Sequence, residues 1–229
     1  DFTIGLQYLE IGMDNLCNLV CDGCNSEFST SWISKENLIY GSSKNGYLST
    51  EDITSVPMSV RKIVFLGGEP LITKKHLDIL NLHTKPANCE VVYNTNASFL
   101  PDKTCMEVWK KFKSVNFIIS IDGVGKVNET VRGNSKWQDT VNFINFCKNH
   151  FYDFEFNTVL HKNNIFDFHN LIEFMHSFDN NWYVNILTYP DYLKITKHDR
   201  KTLEEYIQTI DHFDYPNKEY VKSFIRNSV

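Results

Sequence analysis

No stretch of this chain approaches the roughly 20 consecutive apolar residues of a bilayer-spanning helix, so nothing in it reads as crossing a membrane. Residues 1–13 have no basic flank and are interrupted by Glu10, which excludes a secretory signal. The missing initiator Met reads as numbering that begins inside a longer or processed chain. Positive charge is not in surplus either. Against 23 Lys and Arg stand 28 Asp and Glu, a net charge of −5 with a pI near 5.9. That balance gives no electrostatic case for nucleic acid. The short cluster Lys110, Lys111 and Lys113 reads as a solvated helix face. There is no internal repeat, low-complexity tract or Pro/Gly-rich linker, so 1–229 reads as one domain with C-terminal helices from about 199 to 229. Cysteine is thin outside one place: three of the six fall within eight residues, and none follows Cys147. A tight cluster without a secretion signal favours metal binding in a reducing compartment over a disulfide framework, with the cytoplasm as the default.

What is present is an ordinary globular composition, 42% hydrophobic and 22% charged, long enough to bury a core without disulfides. Short β-branched and apolar runs suggest strands at Gln7–Met13, Lys62–Leu66, Glu90–Asn94, Asn116–Ile121, Phe154–Leu160 and Tyr183–Thr188. Between and after them, amphipathic patterns predict helices at His76–Leu82, Lys103–Phe112, Gln138–Asn149, Phe166–Phe178, Asp199–Phe213 and Asn217–Arg226. Asp102 and Asp139 stand near helix starts, where the dipole favours acids. Such alternation argues for a parallel α/β sheet with right-handed crossovers. A partial barrel and an open doubly wound sheet both fit the pattern. Ser34–Pro57, rich in Ser, Asn and Gly, reads as a long connection that covers or shapes a site.

The chemistry concentrates at Cys17-Asn-Leu-Val-Cys21-Asp-Gly-Cys24, directly after the first expected strand. In parallel α/β architectures ligand sites gather at the carboxyl ends of strands. Three soft thiolates on a short loop suit iron–sulfur or zinc. A structural zinc wants four ligands, and the next Cys or His after Cys24 is His76. A cubane held by three cysteines leaves one iron open for a chelating ligand.

Cys-x3-Cys-x2-Cys in this position resembles the signature of the radical S-adenosylmethionine (SAM) superfamily. The resemblance implies a partial (β/α)6 TIM-like barrel and a [4Fe–4S] cluster on Cys17, Cys21 and Cys24, with SAM chelating the fourth iron. Gly23 stands where the family often has an aromatic residue whose backbone meets adenine, so a backbone contact is implied and side-chain stacking is not. Gly67-Gly68-Glu69-Pro70 closes the second strand. A glycine pair admits close backbone approach, and a carboxylate can receive an ammonium. It resembles the motif that holds the SAM amino group. Asn94-Thr95-Asn96, followed by Ala97, resembles a Thr-Asn-Gly segment of the peptide- and protein-maturing branch, and places Asn96 near the cofactor. Ser120-Ile121-Asp122-Gly123 with Arg132-Gly133 resembles the region in which a serine bonds the ribose and an arginine meets the SAM carboxylate. Leu187 matches a position that packs on adenine.

The resemblance runs from Glu10 to about Tyr192 and is nearest to stand-alone members related to the SPASM/twitch group. Ser29-Thr30-Ser31-Trp32 and Asn185-Ile186-Leu187-Thr188-Tyr189-Pro190 carry it. Auxiliary-cluster cysteines are absent after Cys147, implying a single cluster, with Cys89, Cys105 and Cys147 as structural thiols. The expected activity is reductive cleavage of SAM to a 5′-deoxyadenosyl radical that abstracts hydrogen from a substrate, with a peptide or protein side chain first in line. An external one-electron donor of the flavodoxin or ferredoxin kind is implied. The competing reading is a non-enzymatic module that binds zinc or an iron–sulfur cluster on the same cysteines. His76, His83, His161 and Asp191 sit in no motif, and no catalytic acid or base is assigned.

Overall fold

The computed structural model describes residues 5–42 and 53–227. These residues form two compact units. One takes in the chain up to Val20, Cys24–Ile119 and Gln138–Phe154; the other takes in Cys21–Gly23, Ser120–Trp137 and Glu155 onward.

In the first unit, strands β1 (Tyr8–Gly12), β3 (Lys62–Leu66), β4 (Glu90–Thr95) and β5 (Ser114–Ser120) pair in parallel in that order; β2 is the short Val20–Cys21 strand. The register places Ile11, Phe65, Tyr93 and Phe117 side by side, and strand alternation sends all four to the same face. Phe65 stacks on Tyr93 at 5.1 Å and Tyr93 on Phe117 at 5.7 Å between ring centroids. Onto this aromatic row pack α2 (Lys75–Asn81), α3 (Lys103–Trp109) and α5 (Trp137–His150). From α3, Trp109 Nε1 donates to the Tyr93 hydroxyl at 2.9 Å, and from α2, His76 Nδ1 lies 2.7 Å from the same oxygen. Phe143 of α5 meets Phe117 edge-on. Each fully buried ring contributes about 1.5–3 kcal/mol by leaving water. Burial, with Lys74 adding to it, drops the His76 pKa to about 4, so the ring is neutral in the core. Asp102 caps α3 by accepting from Cys105 N at 3.0 Å. Asp139 lies in the first turn of α5, as the dipole argument expects.

In the second unit, β7 (Asp153–Leu160) and β8 (Trp182–Ile186) pair in parallel, with Phe156 opposite Trp182 and Leu160 opposite Ile186. Phe156, Thr158 and Leu160, with Trp182, Val184 and Ile186, form the buried face. Phe168, Leu171, Ile172 and Met175 are the buried residues of α6 (Phe168–Met175), and α7 (Arg200–Ile210) and α8 (Lys218–Asn227) follow. The opposite strand face carries Glu155, Asn157 and Val159 on β7 and Tyr183 and Asn185 on β8, all half-buried or exposed. The unit also contains α4 (Lys126–Val131) and the short β6 (Arg132–Gly133).

All six expected strands are present, in the α/β class with parallel pairing. One expectation needs correction, and one helix was not foreseen. The connection read at Ser34–Pro57 begins as helix, because α1 spans Thr30–Tyr40; residues 43–52 of that region lie outside those described. The stretch between Gly123 and Arg132 is helical over α4. No helix among the described residues is long and apolar enough to cross a membrane.

Candidate cofactor site

The loop after β1 is anchored before it reaches Cys17. Gly68 N donates to Asp14 O at 2.8 Å and Glu69 N to Leu16 O at 2.8 Å, so the Gly67–Gly68 turn lies directly on the cysteine loop. Gly67 has φ +121°, and a Cβ there would stand 2.6 Å from Asp14 O; at Gly68 it would stand 2.3 Å from Leu16 O. The backbone that the glycine pair approaches is that of the cysteine loop. From the other side, the start of α1 holds Cys17. Thr30 Oγ1 accepts from Cys17 N at 3.2 Å, and Ser31 Oγ donates to Cys17 O at 2.7 Å. Ser29 Oγ donates to Leu19 O at 2.6 Å. Deeper, the buried Glu36 carboxylate accepts from Ser26 N at 2.8 Å and Ser26 Oγ at 2.6 Å, tying α1 to the stretch after Cys24.

Glu69 is 2% exposed and spans the ends of two strands. Its Oε1 accepts from Thr95 Oγ1 at 2.9 Å and Leu71 N at 3.1 Å, while Oε2 accepts from Asn96 N at 2.7 Å. Asn96 in turn donates through Nδ2 to Asn18 Oδ1 at 3.0 Å, and that nitrogen lies 3.7 Å from Cys17 Sγ. Leu19 N points to the same sulfur at 3.5 Å. Two N–H groups beside one sulfur tune any metal that it ligates. Glu69, Asn96 and Cys17 therefore form one connected network.

In the second unit, Asp22 N donates to Val131 O at 2.7 Å and Asn163 Nδ2 to Asp22 Oδ2 at 2.7 Å, which seats the Cys21–Gly23 segment. Gly23 has φ +77°, a left-handed conformation that glycine adopts without strain. A Cβ there would fall 2.5 Å from Leu187 Cδ1. Leu187 thus fills the space that a side chain at position 23 would need, which accounts for the missing aromatic. The two residues expected at the adenine are brought together.

Asp122 and Arg132 also meet. Arg132 Nη1 donates to Asp122 Oδ2 at 2.7 Å, with the side chains only 12% and 10% exposed. Asp122 Oδ1 accepts from Val159 N at 2.8 Å. Around this pair, Asn128 Oδ1 accepts from Asp122 N, and Asn164 Nδ2 donates to the carbonyls of Asp122 and Val159. Ser120 lies half-buried at the end of β5, two residues before Asp122. The supports from Thr30, Ser31, Asn128 and Asn164 were not assigned roles from sequence. Only the Ser29–Trp32 segment carried a signal, as part of the resemblance.

Cys17, Cys21 and Cys24 are half-buried thiols outside any disulfide. Cys89 and Cys147 are fully buried, and burial pushes their thiols up to about 11 and about 12. Cys105 is also buried, with its thiol raised by desolvation. Such thiols stay protonated and unreactive. Among the described residues no three His, Cys, Asp or Glu side chains close around one ion. A cubane asks for no such convergence, since each thiolate binds a different iron. Soft donors, a braced loop and N–H groups beside Cys17 Sγ fit that group.

Residues 14–175, well over half of the chain, match the Radical SAM superfamily. The chain belongs to that family. Its members work with a [4Fe–4S] cluster and SAM. Among curated relatives, this radical SAM chain is 33% identical over 103 residues to GTP 3′,8-cyclase of Sulfurovum sp. (strain NBC37-1), covering 42% of this chain and 28% of that protein. It is 28% identical over 177 residues to GTP 3′,8-cyclase of Campylobacter lari, covering 74% and 52%. The chain thus spans about half, or less, of these relatives' length. Two solved structures share the fold. Native anSMEcpe with bound AdoMet superimposes with a TM-score of 0.64 at 12% identity, over 97% of this chain and 63% of that one. Streptococcus suis SuiB bound to S-adenosylmethionine gives 0.55 at 19% identity, over 96% and 45%.

Proposed function

We propose that this chain is the catalytic core of a radical SAM enzyme that abstracts hydrogen from a peptide or protein side chain. When bound, the [4Fe–4S] cluster and SAM together supply a 5′-deoxyadenosyl radical through reductive cleavage of the S–C5′ bond. Cys17, Cys21 and Cys24 hold the cluster. The observation that carries the reading is the bracing of the cysteine loop: the glycine-turn backbone holds Asp14 and Leu16, and the hydroxyls from α1 and the Asn96 amide meet Cys17.

Each remaining residue has a role that its chemistry permits. Glu69 takes the SAM ammonium, and its bonds to Thr95 and Asn96 orient the carboxylate. Arg132 meets the SAM carboxylate, with Asp122 fixing the guanidinium. Ser120 bonds the ribose, and Gly23 with Leu187 receives the adenine. An external one-electron donor of the flavodoxin or ferredoxin kind would supply the electron that this chemistry needs. A GTP-like substrate is the second reading, supported by the two relatives named GTP 3′,8-cyclase. A zinc module on the same cysteines is the non-enzymatic alternative, and metal analysis separates it at once.

The test is anaerobic reconstitution with iron and sulfide, followed by dithionite and SAM. The expected product is 5′-deoxyadenosine with methionine. Protein holding an intact cluster yet forming no 5′-deoxyadenosine refutes the proposal.

A further inference from the structure

Parallel strands are ordinarily covered on both faces and read as apolar throughout. β7 and β8 break that rule on one side. Along their open face run Glu155, Asn157 and Val159 on β7, beside Tyr183 and Asn185 on β8. Asn185 Nδ2 donates to Asn157 Oδ1 at 2.9 Å across the strands. Below this pair, Asn181 Nδ2 donates to Glu155 Oε1 at 2.7 Å. Tyr183 is 46% exposed, and the nearby Glu155 charge raises its hydroxyl's pKa. The polar face of this strand pair, with β8 at the sheet edge, offers hydrogen-bonding groups to a ligand.

Position says what it is next to. Leu187 follows Asn185 at the two-residue period of a strand, and the chain rises about 3.3 Å per residue there, so Asn185 sits one step, roughly 7 Å along the backbone, from the leucine proposed for adenine. Charge says what it accepts. Neither β7 nor β8 contains a Lys or Arg, and the face carries the Glu155 carboxylate. On these two strands a triphosphate meets no cation, and a like charge opposes it. A peptide segment fits: its amides match the donor and acceptor of Asn157 and Asn185, and a Lys or Arg side chain complements Glu155.

We infer that the open face of β7 and β8 is the substrate-reading surface, with Asn157 and Asn185 binding the amide groups of a neutral or basic peptide and Glu155 selecting its charge. This rests on the proposed radical SAM function and goes beyond it in assigning the substrate-specificity residues.

The experiment uses the reconstituted full chain with dithionite and SAM. The probes are a proteolytic digest of perdeuterated protein and, separately, deuterated GTP, and mass spectrometry reads deuterium per 5′-deoxyadenosine formed. The digest is expected to label the product and GTP is not. Asn185→Ala and Asn157→Ala are each expected to lower the deuterium per product by about threefold to tenfold, the scale of one lost hydrogen bond. Glu155→Gln is expected to shift the consumed peptides away from those bearing Lys or Arg. Labelling from GTP with none from the digest overturns the inference. So does labelling by neither probe, or labelling from the digest that is indifferent to all three substitutions. Failure to form any 5′-deoxyadenosine overturns the proposed function itself, and is separately visible.

Discussion

Gly68→Ala tests whether the glycine turn builds the cysteine loop. The added methyl would sit 2.3 Å from Leu16 O, a main-chain atom that cannot rotate away. Ordinary contact needs roughly another ångström, so the 14–16 segment must move. Overpacking of this kind costs about 1–3 kcal/mol. The movement also weakens Gly68 N to Asp14 O and Glu69 N to Leu16 O, each contributing about 0.5–1.5 kcal/mol. The total comes to about 2–6 kcal/mol. At 2–4 °C per kcal/mol for a chain of this size, a mid-range loss of about 4 kcal/mol lowers Tm by about 8–16 °C. The displaced loop carries Cys17, so iron and sulfide per chain after anaerobic reconstitution should fall well below the wild-type value. Gly12→Ala is the matched control: a Cβ there meets nothing within 4 Å, and the variant should melt and reconstitute as wild type does. If Gly68→Ala does the same, the loop does not depend on the turn, and the account of the Cys17 brace is wrong.

Four further outcomes are expected. The double variant Thr30→Val with Ser31→Ala removes both hydroxyl clamps on Cys17, costing about 1–3 kcal/mol and speeding cluster loss to an iron chelator. Asp122→Ala removes the carboxylate that a largely buried guanidinium bonds at 2.7 Å, so urea unfolding should show a loss of about 1.5–3 kcal/mol and SAM binding should weaken. His76 has its folded pKa depressed from 6.5 to about 4, so the stability it supports is whole above pH 6.5 and is lost as pH falls toward 4. The loss approaches about 3 kcal/mol, and His76→Phe should flatten that limb of the stability profile. Cys147→Ala should keep the full iron content of the wild type while lowering stability modestly, because its thiol is buried and protonated.

The strands were legible because their signal is local. Lys62–Leu66 is a β-branched apolar run bounded by Gly67 and Gly68, and it is β3 to the residue. The cysteine triad stood out as a metal-site candidate through its tight spacing after the first strand, and the family resemblance made that reading specific. Helix α1 was not, since it inverts the usual pattern: Leu38, Ile39 and Tyr40 face solvent while its buried residue is Glu36. A periodicity argument looks for an apolar stripe and finds none. Helix α4 is too short for periodicity, and it buries Asn128 to serve Asp122. The clamps from Thr30 and Ser31 act on main-chain atoms of Cys17, and main-chain partners leave no trace in residue identity. Glu69 was expected to face a ligand ammonium; its bonds to Thr95 Oγ1 and Asn96 N arise only from the adjacency of β3 and β4.

The leucine at 187 and the glycine at 23 occupy a single volume although 164 positions separate them in the sequence. Neither can change size alone. A descendant that acquired a ring at 23 would have to trim 187 in the same lineage and give up the left-handed turn as well. Among kindred sequences the two sites should therefore trade bulk, and that reciprocity gives a way to trace which version of this shared volume each lineage inherited.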